Sequence, residues 1–127
     1  MINKDRDHGR KRLLIVEDDP VQLEEYRRVL NSKGYVVTCA KSAEEAISLA
    51  DSNEFDAILT DNVLPGMTGL RAISEFQRRS KAPIALMTSH PSPDLHKDAL
   101  LLGAAAFFKK PLDFKQVCRE LDKAVAG

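Results

Sequence analysis

The sequence predicts an α/β fold in which five short parallel strands alternate with five helices, (βα)5, in one domain. Three observations carry this. Apolar runs of four or five residues, mostly rich in β-branched side chains, recur at 13–16, 35–38, 57–60, 84–88 and 105–108. They are too continuous for strands with one face in water, so both faces of the sheet should be covered by helices in a doubly wound, three-layer sandwich. Amphipathic stretches with helix-start signals fall between and after the runs. No linker, repeat or low-complexity stretch interrupts the alternation.

In chain order, the first run, Leu13-Leu14-Ile15-Val16, meets Glu17-Asp18-Asp19-Pro20. Asp19 reads as an N-cap, Pro20 as the first helical residue and Gln22 as the partner of a capping box. That helix should stop near Gly34. The second run leads to Ser42 and Glu45, again a capping-box pair. The third ends in Thr60-Asp61, enters the sharp turn "DNVLPG", and precedes a helix capped by Thr68 and running to Arg79. The fourth ends in Thr88-Ser89-His90; Ser92-Pro93 starts the next helix and Gly103 stops it. The fifth, rich in alanine, is the weakest strand signal. It ends in Lys109-Lys110-Pro111, before a helix started by Asp113 with Gln116. The domain is expected over 11–126, after a frayed or disordered N-terminal segment, 1–10. No output domain is expected after the fifth helix.

A chain of 127 residues can bury a real core without metal or disulfide staples. Its 19 basic and 19 acidic side chains cancel, which removes the electrostatic case for nucleic-acid or membrane binding. Cys39 and Cys118 have no metal-ligand spacing, and Cys118 suits a small core position. No membrane span or signal peptide is evident, and a reduced, cytoplasmic setting is expected.

The chemistry gathers at the strand ends. Taken singly, an acidic pair before a helix is a cap plus a solvated face, an Asp before a Pro-Gly turn is a turn former, and a Lys before Pro is surface. Right-handed crossovers, however, bring all the carboxyl ends to one edge of the sheet, where ligands of such folds bind. Glu17, Asp18, Asp61, Thr88 and Lys110 would then share one pocket. Carboxylates about 5 Å apart repel by roughly 3 kcal/mol at an effective dielectric near 20, which favours a hard divalent cation such as Mg²⁺. Asp61 is a competent nucleophile toward phosphorus once its surroundings neutralise the incoming oxygens. Lys110 could supply charge and Thr88 a hydrogen bond.

Together "LLIVEDDP", "ILTDNVLPGMTGL", "PIALMTSH" and "GAAAFFKKP" resemble, in order and spacing, the receiver domains of bacterial two-component response regulators, over about residues 11–126. The resemblance implies a flavodoxin-like sandwich with strand order 2-1-3-4-5. It implies that Asp61 is the phosphoacceptor, forming a 4-aspartylphosphate. Glu17, Asp18, Asp61 and the Val63 backbone carbonyl would hold Mg²⁺, with Mn²⁺ a substitute. Lys110 and Thr88 would serve the transfer, Thr88 and Phe107 the switch, and Lys110-Pro111 would be a cis peptide. Lys109 reads as an exposed neighbour. The donor would be the phosphohistidine of a sensor histidine kinase or a histidine phosphotransfer domain. The surface of the fourth helix, fifth strand and fifth helix would then change its preference for a downstream protein target or a fused output domain. The domain itself would bind neither nucleic acid nor membrane, and would be a monomer or a weak, phosphorylation-dependent dimer.

Three positions depart from the pattern. Phe107 lacks the hydroxyl of the commoner tyrosine, Ala104-Ala105-Ala106 replaces acidic residues that one DNA-binding subfamily uses to dimerise, and Val63 is apolar where a polar side chain could assist water. An alternative reading is a pseudo-receiver, an interaction module never phosphorylated; it would lose Asp61 or Lys110, and both are present. An aspartyl-nucleophile phosphatase of the haloacid-dehalogenase type needs a second Asp where Val63 stands. A flavodoxin-like cofactor binder would have a Ser/Thr/Gly-rich loop after the first strand, where this chain is acidic. The domain is therefore expected not to be a turnover enzyme.

Overall fold

The computed structural model describes residues 9–126; the segment 1–8, most of the expected frayed terminus, lies outside the described residues. Among these, five strands and five helices alternate: β1 (Arg12–Val16), α1 (Pro20–Ser32), β2 (Val36–Ala40), α2 (Ala43–Ser52), β3 (Ala57–Asp61), α3 (Gly69–Arg79), β4 (Ile84–Thr88), α4 (Pro93–Leu101), β5 (Ala106–Lys109) and α5 (Phe114–Ala126). The strands form one sheet in the order β2-β1-β3-β4-β5 with every neighbour parallel.

Every strand but β4 differs from its expected run by one or two residues: β1 gains Arg12, β3 gains Asp61, and β2 and β5 are shifted along the chain. β2 begins at Val36 and reaches Ala40, because the amide of Tyr35 still bonds the carbonyl of Leu30 at the end of α1 and Val36 is the first residue to pair with β1. β5 begins one residue later than its alanine run, at Ala106, opposite Ala85.

The alternation of side chains along the strands divides the core in two. Leu14, Val16, Ile58, Ile84 and Leu86 face α2, α3 and α4, packing with Ala46, Ile73, Phe76 and Ala99. Leu13, Ile15, Leu59, Met87 and Phe108 face α1 and α5, packing with Leu23, Tyr26, Leu30, Val117 and Leu121. β1, β3 and β4 are central and buried on both faces, whereas β2 and β5 form the half-covered edges. Cys39 and Cys118 pack at the rim of the second core as free thiols.

The helix starts follow their side-chain caps. The hydroxyls of Ser42, Thr68 and Ser92 accept the backbone N–H of Glu45, Arg71 and Leu95, and Asp113 accepts those of Lys115 and Gln116. Asp19 caps α1 through Val21 N–H, but the reciprocal half of its capping box is absent. Glu17 Oε2, not Gln22, accepts the Asp19 N–H, which releases Gln22 for other contacts. Gly34 and Gly103 follow α1 and α4 with φ of +101° and +105°, a left-handed turn that side-chain-bearing residues rarely adopt.

Candidate functional site

All neighbouring strands run parallel, so every strand's carboxyl end lies on one edge, and the register places the ends side by side. Val16 pairs with Thr60, Asp61 with Met87, and Thr88 with Lys109. Glu17, one residue beyond β1, is 1% exposed, and Asp61, the last residue of β3, is 5% exposed. Burying two carboxylates is tolerable only if they are paired. Their partner is the Lys110 ammonium, which reaches back from the end of β5 and donates to Glu17 Oε1 at 2.5 Å and to Asp61 Oδ2 at 3.0 Å. Exposed Asp18 completes an acidic cluster: one carboxylate oxygen from each of Glu17, Asp18 and Asp61 lies within 4.8 Å of the others. Hard oxygen donors in this number and spacing suit a divalent cation that keeps water in its remaining positions.

The electrostatics follow from burial. Desolvation raises the Glu17 pKa, with Asp61's charge adding to it; the bonds from Lys110 and the Asp19 N–H oppose this without cancelling it. Desolvation acts against the Lys110 ammonium, yet its bonds to Glu17 and Asp61 outweigh that and its pKa is raised. The lysine is therefore a fixed positive charge. Asp19 is held below its ordinary value by hydrogen bonds from Gln22 and Val21, as befits a helix cap.

The remaining expected residues sit around this centre. Thr88 is buried, and its hydroxyl accepts the His90 N–H at 3.0 Å. Val63 donates its backbone N–H to Asp61 Oδ1 at 3.3 Å and points an exposed side chain outward. Phe107 is half-buried, stacked on His96 of α4 with centroids 4.6 Å apart. The Lys110-Pro111 peptide is cis, and Lys109 is exposed. Asp61, Glu17, Asp18 and Lys110 are thus brought together; Thr88 and Phe107 are near neighbours in register whose side chains hold other partners.

Four residues with clear roles in this geometry carried no usable signal in the sequence. Gln22 and Tyr26 of α1 contact Lys110. Asn62 braces the turn after β3 by accepting the backbone N–H of Gly69 and Leu70, and His96 covers Phe107. Gln22 is 88 residues from the lysine it contacts and Asn62 eight from Leu70, so neighbouring residues announce neither contact.

Comparison with known proteins decides the family: the family model of the response regulator receiver domain matches residues 13–122. The chain belongs to the response regulator receiver family. This receiver domain is 32% identical over 119 residues to the transcriptional regulatory protein ZraR of Salmonella typhimurium, an alignment covering 93% of this chain and 27% of that protein. It is 30% identical over 117 residues to the transcriptional regulatory protein PdtaR of Mycobacterium tuberculosis, covering 91% of this chain and 57% of that one. The receiver thus spans between about a quarter and somewhat over half the length of these relatives. Among solved structures, a response regulator of Burkholderia pseudomallei containing a phosphorylated aspartic acid, calcium and citrate superposes with a TM-score of 0.84 at 26% identity, covering 91% of this chain and 69% of that one. The CheY-like receiver domain protein of Methanospirillum hungatei JF-1 gives 0.85 at 25% identity, covering 91% and 94%. The chain is a receiver domain of two-component signal transduction. Among the described residues no helix is long and apolar enough to cross a membrane.

Proposed function

We propose that this receiver takes a phosphoryl group onto Asp61 from the phosphohistidine of a sensor histidine kinase or histidine phosphotransfer domain. The observation that carries the reading is the Lys110 ammonium bonded at once to buried Glu17 and Asp61, with Asp18 in the same cluster. The phosphorylated aspartate and calcium of the Burkholderia relative support it.

Glu17, Asp18, Asp61 and the Val63 carbonyl would hold Mg²⁺, or Mn²⁺ in its place. The chemistry such an ion supplies is neutralisation of the carboxylates and of the incoming phosphoryl oxygens. Asp61 is the nucleophile. Its Oδ1 carries only a long hydrogen bond from Val63, so a lone pair remains for phosphorus. The P–N bond to the donor imidazole breaks with its electron pair going to that nitrogen, and an acyl phosphate forms. Lys110 turns from Asp61 to the transferred group as a point charge. Thr88 rotates from the His90 N–H to donate to a phosphoryl oxygen. Phe107 then leaves its stack on His96, altering the surface of α4, β5 and α5. That surface would address a separate protein target or a fused output domain from a cytoplasmic location, as a monomer or weak dimer. The receiver catalyses its own modification and slow reversal, with no turnover of a free substrate.

Incubation with acetyl phosphate and Mg²⁺ is expected to add one phosphoryl mass to the wild type and none to Asp61→Asn. Equal behaviour of the two, by intact-mass spectrometry, would favour the pseudo-receiver and overturn the proposal. Val63, 56% exposed beside Asp61, offers nothing to orient attacking water. The phosphorylated wild type is therefore expected to lose its phosphoryl group more slowly than Val63→Asn, by roughly two- to tenfold. A dephosphorylation time course in which the wild type is the faster would contradict this.

A further inference from the structure

The Lys110 ammonium has three N–H donors and no acceptor. Two go to Glu17 and Asp61; the third goes to Gln22 Oε1 at 3.0 Å. We infer that Gln22 is a positioning residue, a neutral third anchor that holds the Lys110 ammonium at the phosphorylation site when the two carboxylates are otherwise engaged. This rests on the proposed phosphoryl acceptance and deepens it.

The orientation of the Gln22 amide is over-determined. Its carbonyl accepts from Lys110 and, at 2.9 Å, from the Tyr26 hydroxyl. Its NH₂ donates to Asp19 Oδ2 at 2.9 Å. A flipped amide would set N–H groups against an ammonium and a hydroxyl while turning a carbonyl toward a carboxylate, so one orientation survives. Asp19 is itself fixed as the N-cap of α1 and donates its backbone N–H to Glu17. Tyr26 is buried, with its ring 5.8 Å from the Lys110 nitrogen and edge-on to Phe114 of α5 at 6.0 Å. The lysine is thus bounded on its α1 side by one side chain whose own position is set by a helix cap and a buried aromatic.

The three anchors are not equivalent. Glu17 and Asp61 belong to the acidic cluster, and their oxygens are the ones that a cation or a phosphoryl group would claim. Gln22 is neutral, lies outside that cluster and has no competing demand. Of the resting contacts, the bond to Gln22 is the one the ammonium can keep while its other donors turn to a phosphoryl oxygen. Without it, a flexible four-carbon stem must find that position unaided, and misplacement of a charged group by about 1 Å carries a large rate penalty.

Gln22→Met keeps length and helix propensity and removes the acceptor. In metal-free protein, the Lys110 ammonium is expected to give a resolved proton–nitrogen NMR signal in the wild type and to broaden through water exchange in Gln22→Met. With acetyl phosphate at saturating Mg²⁺, Gln22→Met is expected to be phosphorylated about tenfold more slowly, the effect of losing one charge-assisted hydrogen bond. The half-saturating Mg²⁺ concentration should stay within about twofold of wild type, because no metal-facing oxygen changes. An unbroadened signal in Gln22→Met or an unchanged rate would each overturn the inference. A wild type that gains no phosphoryl group at all would instead count against phosphoryl acceptance, and the metal-free signal would still judge Gln22.

Discussion

Lys110→Met is expected to destabilise the metal-free domain by about 3 kcal/mol, the loss typical of removing one partner from a buried ion pair. The ammonium and Glu17 are almost wholly enclosed, with side chains 9% and 1% exposed, and Asp61 at 7% shares the same cation. Methionine fills similar space and leaves two neighbouring carboxylates with no counter-charge. Two further observations should identify the cause. If Mg²⁺ binds as proposed, saturating Mg²⁺ should return a large part of the lost stability, because a cation among Glu17, Asp18 and Asp61 would do the lysine's electrostatic work. Acidification should do the same. The Glu17 pKa is already raised by burial, and Lys110 is one of the groups opposing that rise. Its removal lifts the carboxyl further, so the folded state binds a proton more tightly than the unfolded chain. The variant should therefore gain stability relative to wild type as pH falls through the folded value toward the ordinary 4.5. Denaturant melts at several pH values, with and without Mg²⁺, measure all three effects. A Lys110→Met domain as stable as wild type without metal would contradict the pairing described here. Phosphoryl acceptance should fall as well, even where Mg²⁺ restores the fold, since no cation would remain on that side of the transferring group.

Gly69→Ala is expected to cost about 2–3 kcal/mol and to impair phosphoryl acceptance, although residue 69 touches no reacting atom. Gly69 opens α3, and its backbone N–H bonds the Asn62 carbonyl at 2.9 Å. A Cβ here would run into the carbonyl oxygen of Asp61, the Cδ1 of Leu86 and the Cα of Asn62. Two of these are backbone atoms at the end of a central strand and cannot swing aside. Either α3 lifts from the sheet, opening the core around Ile73 and Phe76, or the β3 end shifts and takes Asp61 with it. Thermal denaturation reads the first consequence and the rate of mass gain with acetyl phosphate the second. An alanine variant equal to wild type in both would show that the approach of helix to strand is looser than described. The neighbouring Thr68→Ala removes a cap, a loss of about 1 kcal/mol, and should leave Asp61 in place.

Much of the architecture could be read from the chain because its signals are local. β4 runs from Ile84 to Thr88 as expected, since both of its faces are buried and its apolar run has clear ends. The helix caps at Ser42, Thr68 and Ser92 lie where the residues place them, because a hydroxyl finds its N–H donor within three residues. Less was legible at Tyr35, whose aromatic side chain suits a strand. Its amide closes the end of α1, and its hydroxyl donates to Asp122 of α5, a partner 87 residues away. The Asp19–Gln22 pair misled in a similar way. The spacing promised a capping box, but a buried Glu17 needed the Asp19 N–H and an ammonium from residue 110 needed the Gln22 carbonyl.

By itself, then, the sequence determined the alternation of strand and helix, the parallel sheet covered on both faces, and which residues stand at the strand ends: Glu17 and Asp18, Asp61, Thr88, Lys110. These follow from periodicity, caps and chain direction. Only the tertiary structure decided which of those groups meet and how each donor is spent. It gave the lysine three acceptors drawn from β3 and the beginning of the chain's first crossover, turned the Thr88 hydroxyl to His90, and set Phe107 against His96. The reason is physical. A strand end can be read from a few neighbouring residues, whereas a buried charge takes whatever partner the packed sheet brings within about 3 Å, and that partner can lie anywhere in the chain.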